Sequence, residues 1–186
     1  MLTYAIENGS RRSIDLMHKL NANQINEYFD VHLPYRTRIL LAHYKMRHTA
    51  EGAFVQWTGH QAWLDACFVA SLITARLYLN MVGIGKNRHG TALVDFDAKR
   101  DDVTVDDLGG TRVSIPSISL SDQKMLLDFI IMADKAAAHF TTPIPHDRTT
   151  IPKVILMIHR YVKTHLYDVV GKAGLETVEE GCVAKT

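Results

Sequence analysis

The chain has 186 residues, 47% of them hydrophobic and 22% charged, enough for one well-cored domain that needs no metal or disulfide staple. Lys+Arg 21 against Asp+Glu 20 leaves a net charge of +1. That excludes a broadly basic nucleic-acid coat and an acidic tail, and confines any anion site to a local cluster.

Two cysteines, Cys67 in an apolar stretch and Cys182 in a polar tail, give neither a disulfide framework nor zinc spacing. Residues 1–12 lack the apolar core of a signal peptide. The longest apolar run, 66–75, is about half of what a bilayer span needs. The expectation is a cytoplasmic protein with no membrane segment. Ten histidines is a high count, and such groups raise the charge as the pH falls toward about 6.

Helical periodicity dominates. A short helix capped by Ser10 or Ser13 and running to Leu20 opens the chain, and a second spans 23–31. Pro34 lacks an amide proton and disfavours helix at Leu33, so a break is expected there. A helix restarts at the proline and runs to about His48, with Leu40, Leu41 and Tyr44 as its apolar side. Gly52 and Gly59 bracket a looser segment. The strongest helix covers 60–82 and is apolar nearly all round, which places it at the centre. Its expected core face is Trp63, Ala66, Cys67, Ala70, Ile73, Leu77 and Met81, and Gly83 and Gly85 stop it.

Residues 86–118 change character. Alternating β-branched runs at 91–96 and 103–105, with Gly109-Gly110 ahead of 111–115, predict a small inserted β-hairpin. Ser121 caps the next helix, with Leu126, Phe129, Ile130, Ala133, Ala137 and Phe140 on one face, and Pro143 and Pro145 end it. Thr150 and Pro152 open the last helix, with Val154, Ile155, Ile158, Val162 and Leu166 inward, as far as Gly171. The expected fold is all-α: a single bundle domain of five or six helices over 1–171, the hairpin inserted at 86–118, and a frayed tail over 172–186. An almost wholly apolar central helix also leaves surface for a two-fold homodimer.

Arg36, His43 and Arg47 fall on one stripe of the helix after Pro34 at 100° per residue. Two guanidiniums flanking an imidazole suit a phosphate, since Arg donates in a fork and His passes protons. The plainer reading is a solvated basic face. Arg38 and His43 form one of several Arg-then-His pairs, a pattern abundant enough here to arise by chance. At that spacing the side chains lie about 140° apart and converge only across a groove or a dimer interface.

Metals and cofactors find little support. Asp15 and His18 have the spacing of a di-iron ligand pair but stand alone. Asp95, Asp97 and Asp101 place Arg100 where a calcium loop turns on glycine. Asp97-Ala-Lys99 has the acidic-x-Lys spacing of metal-dependent nucleases without the long sheet around it. No Gly-rich phosphate loop follows a strand and no Gly-x-Ser-x-Gly elbow occurs, so no cofactor is expected.

Lys135 and His139 lie one helical turn apart in the stretch ADKAAAHFT, residues 133–141. This stretch resembles the RNKxxAH helix of HEPN-type proteins. Residues 66–85, ACFVASLITARLYLNMVGIG, are similar to the long helix ending ARxxLExLGI in some of that superfamily. The resemblance implies a dimerising helical bundle, RNA or a nucleotide as ligand, and metal-independent RNase or toxin activity, often alongside a nucleotidyltransferase antitoxin. In that family an Arg and a His face a cleft and assist attack of the 2′-hydroxyl on phosphate. Carried over position by position, His139 matches the family histidine and Lys135 the basic residue; the expected site adds Arg38 and His43 from another helix, which no family motif matches. The family arginine position holds Ala133, and Asn80 stands where the long helix carries Glu, so the resemblance implies binding ahead of catalysis. The alternative is a non-enzymatic helical interaction module whose histidines are structural.

Overall fold

A computed structural model of the protein describes residues 20–48, 53–99, 101–138 and 150–176, with side chains in α3 described as far as Lys135. These residues are mostly helical, with four helices and a small two-stranded antiparallel sheet. Helix α1 occupies 22–47 as Ala22–Glu27, a π-helical turn Tyr28–His32, and Leu33–Arg47. Helix α2 is Gln61–Met81 and α3 is Leu120–Ala138. Helix α4 occupies 150–170 as Thr150–Val162, a second π turn Lys163–Tyr167, and Asp168–Val170. Between α2 and α3, strands β1 (Ile84–Lys86) and β2 (Leu93–Asp95) pair with Ile84 opposite Asp95. The expected helix ahead of Leu20 and the stop at Pro143 and Pro145 lie outside the described residues.

Asn21 and Gln24 start α1 with a reciprocal capping box, each side chain accepting the other's backbone N–H at 3.0 and 2.9 Å. The break expected at Pro34 does not occur. The Leu33 N–H reaches the Tyr28 carbonyl five residues back, so the helix widens just before the proline. Where the register returns from five residues to four, one backbone donor loses its helical partner, which suits a residue without one.

The Ser121 cap is also corrected. Ser119 caps α3: its Oγ accepts from the Asp122 N–H at 3.1 Å and its carbonyl from the Gln123 N–H at 2.8 Å. Ser121 lies inside the first turn, 2.9 Å away hydroxyl to hydroxyl. Leu126, Phe129, Ile130 and Ala133 are buried as expected. Ala137 and Phe140 fall outside the described side chains. The last helix carries all five of its expected core residues inward and ends at Gly171, whose φ of 67° is left-handed.

The hairpin is displaced toward the N-terminus. Gly109-Gly110 makes no strand turn; Gly109, at φ 84°, ends a short 3-10 turn over Asp106–Leu108. A Cβ on Gly110 would come 2.5 Å from the His165 carbonyl, so glycine lets this loop lie directly on α4, where the Thr111 N–H donates to that same carbonyl at 2.8 Å. Val105 and Val113 send their N–H groups to the Met81 and Val82 carbonyls, at 2.9 and 3.0 Å, and close the end of α2. Neither 103–105 nor 111–115 is a strand, because their backbone groups are used this way.

Helix α2 touches the other three helices and β1, so it is central. By length and composition it also passes as a membrane span; in this fold one side of it packs against the other helices. Its orientation differs from expectation. Leu64, Ser71, Leu72, Thr74, Ala75, Tyr78 and Leu79 face inward, and of the expected face only Met81 is buried. Trp63, Ile73 and Leu77 are 69%, 40% and 47% exposed, a rotation of roughly 100° about the helix axis. The cause is polar. The Tyr78 hydroxyl donates to the Leu33 carbonyl at 3.0 Å and lies 2.8 Å from the Thr37 hydroxyl, while the Ser71 hydroxyl donates to the Ile39 carbonyl at 2.9 Å. Satisfied in this way, polar groups are tolerated in a dry seam.

Leu72→Ala should therefore lower stability by roughly 2–5 kcal/mol in urea melts, and Leu77→Ala by less than about 1 kcal/mol. Tyr78→Phe should cost about 1–3 kcal/mol by stripping the Leu33 carbonyl and the Thr37 hydroxyl of their partner. Tyr167→Phe should leave stability unchanged or raise it, because the Tyr167 hydroxyl is buried with no hydrogen-bond partner among the described residues.

Candidate functional site

The residues singled out by pattern divide among four places. His43 and Arg47 open onto a pocket of about 250 Å³ where the end of α1, the 53–60 segment and the starts of α2 and α4 meet. Arg36, seven residues earlier and about 10 Å up the helix, opens onto a second pocket of about 240 Å³ with His32, Asn80 and Asp102. Arg38 faces the C-terminal tail, its Nε 3.3 Å from a Glu176 carboxylate oxygen. Lys135 is exposed on α3, and His139 lies outside the described residues. One stripe of the helix wheel thus serves two pockets.

In the first pocket each basic group is set by a neighbour of different origin. The His43 ring meets Phe68 of α2 edge-on at 4.9 Å. The His43 N–H leans toward the Ser71 hydroxyl at 3.4 Å, the same hydroxyl that donates to the Ile39 carbonyl, so Ser71 pins this turn of α1 against α2. The Arg47 guanidinium lies over the Phe54 ring at 4.3 Å, a cation–π contact. Phe54 is held there by a β-bridge to His48, and the Val55 N–H donates to the Arg47 carbonyl at 2.7 Å.

His48 stacks on Tyr44 at 4.4 Å, with Nδ1 3.1 Å from the Tyr44 carbonyl. At the start of α2, His60 caps the helix by accepting the Ala62 N–H at 3.2 Å, and Asp65 at the pocket's edge accepts from Gln61 at 2.7 Å. The result is two imidazoles and a guanidinium beside aromatic faces, with one carboxylate at the margin: a donor set for an oxyanion and flat surfaces for a ring. No group of His, Cys, Asp or Glu able to hold a metal ion occurs among the described residues.

Asp134, next to Lys135, receives Arg76 Nε at 3.0 Å and Lys86 Nζ at 3.3 Å, and Arg76 also donates to Asn80. Ala133, at the position compared with the family arginine, is buried in the core. A third polar cluster, unmarked by any sequence pattern, joins α1 to α4. Glu176 receives Lys45 Nζ at 2.5 Å and Arg38, and its carbonyl lies 2.8 Å from His159 Nε2. Sequence reasoning also missed His48, Gln61 and Asp65 in the first pocket; the only signal was Arg47-His48 at a helix end, where cations suit the dipole.

No family model, no curated protein and no solved structure matches the chain.

Burial, and then Lys45 and Lys163, hold His159 below its ordinary pKa, against the opposite pull of Glu176. The unfolded chain protonates this ring near about 6.5 and the folded chain lower, so its contribution to stability is complete above that value and lost as pH falls through the folded one. The melting temperature should drop as pH is lowered from about 7.5 to about 5. His159→Gln, which keeps a donor for the Glu176 carbonyl, should flatten that slope; an unchanged slope would place the pH dependence elsewhere.

Proposed function

We propose that this protein is a HEPN-like helical protein that binds phosphate groups of RNA or of a nucleotide through the pocket of His43, Arg47 and His48. The observation that carries the reading is the convergence of those three basic side chains beside Phe54 and Phe68. A guanidinium and imidazoles satisfy phosphate oxygens, and the rings offer a face to a base. The HEPN comparison draws support from the packing of α2 on α3, the two helices that carry it, with Asn80, Arg76 and Asp134 linked across them. Ala133 in the core supplies no guanidinium. Binding is therefore favoured over metal-independent RNA cleavage, with His139 as the general acid or base of any cleavage that occurs and Lys135 as its cationic neighbour.

A second reading, a non-enzymatic interaction module, is favoured by the exposed side chains of Trp63, Ile73 and Leu77 along α2. A homodimer is the commonest way for such a stripe to be covered. Both readings suit a cytoplasmic protein.

Fluorescence anisotropy with a panel of RNAs and nucleotides tests the first reading. Binding should weaken as salt is added, and His43→Ala with Arg47→Ala should weaken it by about 10–100-fold while leaving the fold intact. Lys135→Ala with His139→Ala should do the same if the family helix contributes. No binding by the wild type at low salt removes the reading. Light scattering at micromolar concentration tests the second: a mass near twice 21.0 kDa supports the dimer, and the single-chain mass counts against it.

A further inference from the structure

We infer that the seam between α1 and α4 is a second anion site, in which Arg38, Lys45 and His159 bind a phosphate group and the chain's own Glu176 carboxylate is the resident stand-in. Each carboxylate oxygen has one cation: Lys45 Nζ at 2.5 Å on Oε1 and Arg38 Nε at 3.3 Å on Oε2. His159 Nε2 donates to the backbone carbonyl of the same residue at 2.8 Å. Lys45 is only 11% exposed, so its charge is poorly screened by solvent and needs a partner. Arg38, at 68%, lies on the rim where an incoming anion meets it first.

Among the described residues, Lys45 and Arg38 are two full cations on the one Glu176 carboxylate. A phosphate group carries about two negative charges and three acceptor oxygens, one for each of Nζ, Nε and Nε2. Among the described residues the tail is held, besides Glu176, by Leu175 packed against the core, by the Lys172 N–H, which donates to the Tyr167 carbonyl at 3.0 Å, and by the Lys172 ammonium 5.0 Å from the Phe29 ring. Release of Glu176 would draw Leu175 off the core as well, a local opening that leaves the four helices in place. Arrival of a dianion also favours the protonated His159 ring, which burial and Lys45 otherwise oppose.

The test is calorimetric titration of the full chain with inorganic pyrophosphate and, separately, with ADP, which tells a free phosphate from a nucleotide's. Glu176→Gln removes the competing charge and should tighten binding of at least one of the two by about 10-fold or more. Lys45→Gln placed on that background should abolish the gain. Equal affinity in wild type and Glu176→Gln for both probes overturns the inference. So does binding that Arg47→Ala removes and Lys45→Gln does not, which would assign the anion to the His43 pocket and leave the proposed function standing. Should Glu176→Gln fail to fold, hydrogen exchange on the wild type decides: saturating pyrophosphate should accelerate exchange of the Lys172 amide several-fold, and an unchanged rate overturns the inference.

Discussion

The rotation of α2 about its own axis decides what the rest of the molecule can present. A helix that is apolar nearly all round has little hydrophobic reason to prefer one face. Ser71, Thr74 and Tyr78 break the tie, because they are buried and two of them reach carbonyls of α1. Burial pushes the Tyr78 phenol well above its ordinary pKa, so it stays a donor throughout the range in which the protein folds. Ser71 sits between the Ile39 carbonyl and the His43 N–H, partners in α1's own ladder, and so fixes how far α1 can slide along α2. From those ties follow both the outward stripe of Trp63, Ile73 and Leu77 and the edge-on seating of His43 against Phe68.

Elements with contrast in their pattern were legible, and those without it were not. In α4, Val154, Ile155, Ile158, Val162 and Leu166 alternate with Lys153, Arg160 and Lys163, so one face is marked and it is the buried one. In α2 the neighbouring faces are nearly equal in hydrophobicity, and the small energy that chooses between them lies in hydrogen bonds to another helix. Pro34 illustrates a local rule overridden by register: the ring does obstruct an ordinary helix, and a π turn over Tyr28–His32 removes the obstruction. Ser119 and Ser121 are equally good caps by composition. The choice is made by the preceding chain, since Gln123 Nε2 donates to the Ile115 and Ile118 carbonyls and anchors the helix start there.

The site was legible in angle and not in position. Periodicity places Arg36, His43 and Arg47 on one stripe, but a stripe eleven residues long runs about 16 Å and passes from one pocket to another. What makes a pocket at His43 is the arrival of Phe54, Asp65 and Ile151 from separate parts of the chain. The pairing of Lys45 with Glu176, 131 residues apart, leaves no trace in any local spacing.

A net charge of +1 describes the whole chain and not the surface an anion meets. From Leu33 to Arg47, α1 carries Arg36, Arg38, His43, Lys45 and Arg47 and not one acidic residue. Every carboxylate that answers those cations must come from another part of the fold, as Glu176 does from the tail and as Asp65 does at the margin of the His43 pocket. Leu33, Leu40, Leu41 and Tyr44 of the same helix pack in the core between two basic flanks, Arg36, His43 and Arg47 on one and Arg38 and Lys45 on the other. The cations are therefore held on a rigid element whose position is set by burial and by Ser71, not by the charges themselves. A carboxylate brought by the segment after α4 can leave such a helix without disturbing it, and an anion from solution then meets donors already in place.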